Sequence, residues 1–214
     1  MQISTDTGPY KDSSIDQIYD MIFCDRPELF QSGNDQEPPF NIIFSERPTV
    51  AALQQITDDD HSDPRIKLLA YRKQMALGYS ILKKELIGVV VEIGLVGGLD
   101  VLACYKNGTA RYINHTGSLL IWETPEDEKS YKLIQELFNK SATIVNQIGP
   151  WEHPRKQYPS TGNTRMSFLL SDGLYFGEAP TNYFFNDPVA GPALTNATAI
   201  LQYITERSLE KSKA

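Results

Sequence analysis

The chain reads as an α+β fold: an antiparallel sheet, made of a three-strand meander and a later hairpin, covered by helices. Three observations carry this. Up to residue 80 apolar residues recur at spacings of three and four, and from residue 86 the period drops to two. The strand-like runs meet at Gly97–Gly98, Asn107–Gly108 and Asp172–Gly173, dipeptides that tight hairpins favour because a turn residue there needs positive φ. The strands are also grouped apart from the helices, which separates α+β from alternating α/β chains.

The elements follow in order. "SSIDQIYDMIF" opens on a Ser cap and places Ile15, Ile18, Tyr19 and Ile22 on one helical face, and Pro27 ends that helix soon after Phe23. "QSGNDQEPPF" is a polar connector, and "NIIF" reads as a short strand or buried coil. Pro48 opens a helix through "TVAALQQI". "DDDHSDP" interrupts it, and Asp63–Pro64 starts another with an Asp cap and Pro at the first position, carrying Ile66, Leu69, Ala70, Lys73 and Leu77. "LIGVVVEIGLV", "LDVLACY" and "ARYIN" form the meander, and "SLLIW" is a fourth strand or an extension of it. Thr124 caps the next helix, whose stripe runs through Ile134, Leu137, Phe138, Ser141, Val145 and Ile148 to Gly149–Pro150. The hairpin "RMSFLLS"/"LYFGE" follows, and Asp187–Pro188 opens a last helix through Ala193, Leu194, Ala197, Leu201 and Ile204. Residues 1–80 are expected as an N-terminal helical extension packed on a sheet-and-helix core of residues 81–214, in one compact domain, because helices this short need a surface to pack on.

This order of elements resembles the roadblock and profilin-like architectures, in which helices cover a central antiparallel sheet. The resemblance lies in element order, and fold alone does not carry function.

At 214 residues, with 41% hydrophobic and 22% charged residues, the chain has a globular composition and enough length to bury a core. A net charge of −7 argues against nucleic acid or an anionic membrane as partner, since phosphate binding needs clustered cations. The start, "MQISTDTGPYKDSS", lacks the basic and apolar segments of a signal peptide, and the run "IGVVVEIGLVGGL" is too short to span a bilayer. A cytoplasmic location is expected. Cys24 and Cys104 sit among apolar neighbours and read as buried free thiols, and the Asn-X-Ser/Thr matches at Asn107, Asn114, Asn139 and Asn196 read as coincidence.

Two-residue turns at Gly97–Gly98 and Asn107–Gly108 would set the register by counting. Leu102 then faces Ile113, Cys104 faces Arg111 and Asp100 faces His115. Val91, Ile93, Leu95, Leu102, Cys104 and Ile113 form a core face. Glu92, Gly94, Val101, Ala103, Tyr105, Tyr112 and Asn114 form a wetter one. Arg111 and His115 end the core-facing row, where Asp100 either completes a rim ion pair or orients His115 as an acid–base group.

The loop "GPWEHPRKQYPSTGN" is the second informative stretch, since Trp151, His153 and Arg155 concentrate aromatic and cationic groups in an acidic chain. The bland alternative makes Trp151 a plug for the end of the core. "TDDDHSD" reads as a solvated helix joint rather than a metal loop, and "GLVGG" turns strand into strand rather than cradling phosphate. No Walker lysine, HExxH or CxxC pair is present, so no catalytic residue, metal ligand or cofactor is assigned. The first functional expectation is non-catalytic binding of a protein partner or small anionic ligand, using Arg111, His115, Trp151, His153 and Arg155. A small hydrolase or transferase with His115 or His153 as base is the second, and a homo-oligomeric platform the third. A cleft shared by the Arg111–His115 row and the 150–162 loop would join an apolar wall to a cationic end.

Overall fold

In a computed structural model, which describes residues 8–31 and 37–211, seven α-helices pack on one six-stranded antiparallel sheet among the described residues. α1 (Ser13–Ile22) is capped by Asp12 rather than a serine, because the Asp12 carboxylate accepts from the Ser14 N–H at 2.9 Å. "NIIF" is neither strand nor coil but a single helical turn, α2 (Phe40–Ile43). α3 (Val50–Asp58) starts behind Thr49, and α4 (Pro64–Ala76) has the expected Asp63 cap and Pro64. β1 (Leu86–Leu95), β2 (Gly98–Tyr105), β3 (Ala110–Ile113) and β4 (Leu119–Trp122) follow. α5 (Glu128–Val145) begins later than Thr124 implied, since Asp127 is the residue whose side chain accepts from the Ser130 N–H. β5 (Asn163–Leu170) and β6 (Gly173–Pro180) form the hairpin, and α6 (Thr181–Asn186) was not foreseen. Asp187 accepts from the N–H groups of Val189 and Ala190, and α7 (Gly191–Lys211) is regular from Gly191 onward.

The strand order β4-β3-β2-β1-β5-β6 puts β1 at the centre, between the meander and the hairpin. One face packs Tyr19, Ile22 and Phe23 around α1, with Leu53 of α3 and Leu68 and Leu69 of α4, on Val90, Val101, Ala103, Tyr105 and Ile113. The other packs Ile134, Leu137 and Phe138 of α5 and Leu194, Ala197 and Ile200 of α7 on Val89, Val91, Leu102, Cys104 and Phe168. Cys24 and Cys104 are buried free thiols, one on each side of the sheet. Among the described residues no helix is long and apolar enough to cross a membrane.

The register corrects the counting argument. The β1–β2 turn is Val96–Gly97, with Leu95 opposite Gly98, so each pair moves by two residues and the faces survive. The β2–β3 turn has three residues, Lys106, Asn107 and Gly108. Gly108 has φ +88°, its N–H donates to the Tyr105 carbonyl, and the Tyr105 N–H donates to the Thr109 carbonyl. A glycine in the left-handed region at the end of a three-residue loop is the alternative to a two-residue turn, and it shifts the pairing by one. Ile113 therefore faces Val101 rather than Leu102, and Arg111 faces Ala103 rather than Cys104. The β5–β6 loop is two residues long but consists of Ser171 and Asp172, with Gly173 paired to Leu170. The face expected to be wet is sealed by the N-terminal helices: Glu92, Val101, Ala103 and Tyr105 are all buried.

Candidate functional site

The 150–158 segment is fixed at both ends. α5 ends at Val145, before the expected Gly149–Pro150 stop, and beyond it the Trp151 N–H donates to the Leu174 carbonyl at 2.7 Å, pinning the chain to β6. The Trp151 indole N–H donates to the Pro154 carbonyl, and its ring meets His153 and Phe176 edge-on at 5.0 and 5.1 Å. Trp151 thus both plugs the core edge and presents a wall. Arg155 reaches α1 and the residues after it. Its Nε donates to Asp25 at 2.7 Å, its Nη2 to Asp20 at 2.6 Å and its Nη1 to the Tyr19 hydroxyl at 3.3 Å, while the guanidinium lies 4.1 Å from the Phe23 ring centroid. Burial works against the Arg155 charge, but Asp25 and its other partners hold the pKa above the ordinary arginine value. From below, Arg165 of β5 donates to the Lys156 and Gln157 carbonyls and to Glu178.

Under this clamp lies Glu92, fully buried on the central strand. It accepts from the Tyr19 hydroxyl at 2.7 Å, and its second oxygen lies 3.9 Å from Arg165 without a hydrogen bond. Burial raises its pKa, outweighing Arg165, the Tyr19 bond and Arg155. Below the ordinary value of 4.5 the carboxyl is neutral in folded and unfolded chains alike. As pH rises through the folded value, the unfolded chain has already released the proton and stability falls. The stability of the parent relative to Glu92→Gln should therefore decline from pH 4.5 upward, by about 1.4 kcal/mol for each unit by which the folded pKa is raised. Urea unfolding across that window measures it, and a parent that gains on the variant as pH rises would contradict the assignment.

The loop walls a cavity of about 660 Å³ together with Asp25, Arg26, Arg72 and Met75 of α4, and the hairpin residues Asp172 and Leu174. A second cavity of about 510 Å³ shares Asp25, Arg72 and Met75, has an apolar part formed by Pro27, Ile43, Phe44, Leu69 and Ala76, and is bordered by Glu28, Gln31 and Lys73. Of the three arginines at the first cavity, two are used within the protein. Arg155 is held as above, and Arg26 pairs with Asp20 and Glu28. Arg72 is not. Its Nη2 donates to the Phe23 carbonyl at 3.2 Å, its Nε is buried without a partner, and no carboxylate of the described residues lies within 4.0 Å. Burial lowers its pKa against the pull of Asp25, yet an arginine stays charged.

Trp151, His153 and Arg155 thus share one cavity, whose wall includes neither Arg111 nor His115. Arg111 is buried on the face of Ile113 and donates to Glu123 and to the Ala110 carbonyl. His115 lies beyond β3, half exposed. Its backbone N–H donates to Asp100 at 2.6 Å, and its ring Nδ1 lies 3.5 Å from the same oxygen. The Asp100–His115 contact exists, made by the turn rather than by strand pairing. In the "TDDDHSD" joint, Asp59 accepts from the His61 N–H and the Ser62 hydroxyl. Arg72 and Asp172 escaped the sequence reading because one sits on a helix and the other in a turn, where charged residues are ordinary. Of the stripe assigned to α4, Leu69 and Ala70 are buried, but so are Leu68, Tyr71 and Gln74 beside them, whereas Leu77 is exposed.

Comparison with protein-family models, curated proteins and solved structures finds no match. The chemistry of the cleft has to carry the functional reading. Its described lining contains no Ser, Thr or Cys side chain for His153 to activate.

Proposed function

We propose that the chain is a binding module that holds a small molecule in the cleft between the 150–158 loop and α4, through an anionic group on Arg72. The observation that carries this reading is the Arg72 guanidinium, set in a cavity wall with no carboxylate partner while its neighbours Arg26 and Arg155 are each paired. A planar fork of donors suits carboxylate or phosphate, and pockets of this size with a few placed polar groups in apolar walls are the usual small-molecule sites. Trp151 supplies the rigid wall, with His153 packed against it.

The test uses 3-phenylpropanoate, a carboxylate with an apolar body. Its addition should raise the thermal midpoint of the parent, because a ligand that binds only the folded state stabilises it by mass action. Arg72→Gln should abolish the rise. An unmoved parent, or a variant that responds equally, removes the reading.

A further inference from the structure

The same cavity carries a second unpaired charge, of opposite sign. Asp172, in the β5–β6 turn, accepts from the Tyr175 hydroxyl at 2.9 Å. Its other oxygen is buried with no hydrogen-bond partner, and no cation of the described residues lies within 4.0 Å of the carboxylate. Asp25, in the same wall, is bound to Arg155 through one oxygen, and its second oxygen is likewise buried and unpartnered. The wall of one cavity therefore carries Arg72, which has no ion pair within 4.0 Å, the carboxylates of Asp172 and Asp25, each with one solvent-shielded oxygen lacking a hydrogen bond, and the exposed Glu152. Leaving such groups unpaired in a protein wall is costly, and a purely anionic guest would relieve only Arg72 while adding repulsion from Asp172 and Asp25.

We propose that the ligand is a zwitterion of the α-amino acid type, its carboxylate on Arg72, its ammonium toward Asp172 and Asp25, and its apolar side chain in the adjoining cavity lined by Ile43, Phe44 and Leu69. Arg72, Asp25 and Met75 belong to both cavities, so a head group at that shared wall can send an apolar body into the second one. The inference rests on the reading of Arg72 as an anion site and adds the cation requirement and the apolar pocket.

Titration calorimetry with three probes of one skeleton separates the two claims: L-phenylalanine, 3-phenylpropanoate, which lacks the ammonium, and 2-phenylethylamine, which lacks the carboxylate. L-Phenylalanine should bind about tenfold or more tighter than either, the size expected for one charge-assisted hydrogen bond in a walled site. Asp172→Asn keeps an acceptor for Tyr175 and suits the turn. It should weaken L-phenylalanine about tenfold while 3-phenylpropanoate tightens slightly, because the repulsion between Asp172 and a purely anionic guest is gone, so that the two probes converge. If 3-phenylpropanoate matches L-phenylalanine in the parent, the zwitterion falls while the anion site stands. If the amine alone matches L-phenylalanine and Arg72→Gln changes nothing, both fall, and they fall together if none of the three binds.

Discussion

Replacing Arg155 by Met is expected to cost about 3 kcal/mol of folding stability and to make the 150–158 loop a protease target. Met keeps most of the stem volume, so the loss reports the guanidinium rather than a hole. Arg155 makes hydrogen bonds to Asp20, Asp25 and the Tyr19 hydroxyl and covers the Phe23 ring, all at positions mostly removed from solvent. Asp20 would keep Arg26, but Asp25 would be left with both oxygens unpartnered. Removing one member of a buried pair costs about 3–5 kcal/mol, and the low end applies because the partners retain some exposure. Arg155→Lys should recover less than half, since a point charge cannot satisfy Asp20 and Asp25 together. Adding Asp25→Asn to the Met variant should restore part of the loss, because the orphaned charge is then gone. Urea unfolding decides. A loss below about 1 kcal/mol for Arg155→Met would mean that the loop is held by the backbone and Trp151 alone.

Arg155 also marks the limit of what the sequence discloses. Its loop was legible because Trp, His and Arg at that density are out of place in an acidic chain, and three of the five residues assigned to a site do share a cavity. Whether a loop arginine faces a ligand or an aspartate depends on what packs opposite it. Asp20 and Asp25 are more than 120 residues away, in and just beyond a helix whose position no local pattern specifies. Arg111 and His115 failed to join the cavity for a related reason. The strands themselves were plain from their period of two, but their faces hung on whether Asn107–Gly108 was the whole turn. A third loop residue, Lys106, reversed β3 relative to β2. Arg72 and Asp172 carried no local signal. Each is an ordinary surface residue in its own segment, and only the approach of α4 to the β5–β6 turn makes them one wall.

The same reversal bears on the N-terminal layer, whose removal should have the largest effect of all. A chain beginning at residue 82 is expected to lose cooperative unfolding altogether. It would uncover Val90, Val101, Ala103, Tyr105 and Ile113 on one sheet face and forfeit the burial of Tyr19, Ile22, Phe23, Leu53, Leu68 and Leu69 above them. Each of those large apolar side chains contributes about 1.5–3 kcal/mol by burial, and the sheet face beneath them would stand open to water. Polar losses add to this. Glu92 would lose the Tyr19 hydroxyl and Arg155 would lose Asp20 and Asp25, beside an apolar patch newly open to solvent. Nicking the full chain at residues 31–39 should instead leave two fragments that stay together through gel filtration, because Tyr19, Ile22 and Phe23 before the nick and Leu53, Leu68 and Leu69 after it are buried in the same layer. The decisive comparison is thermal unfolding of the 82–214 chain. A monomer that melts in one sharp transition at the parent midpoint would show that the sheet and the helices on its other face stand alone, and that residues 1–80 are an appendage rather than half of the core.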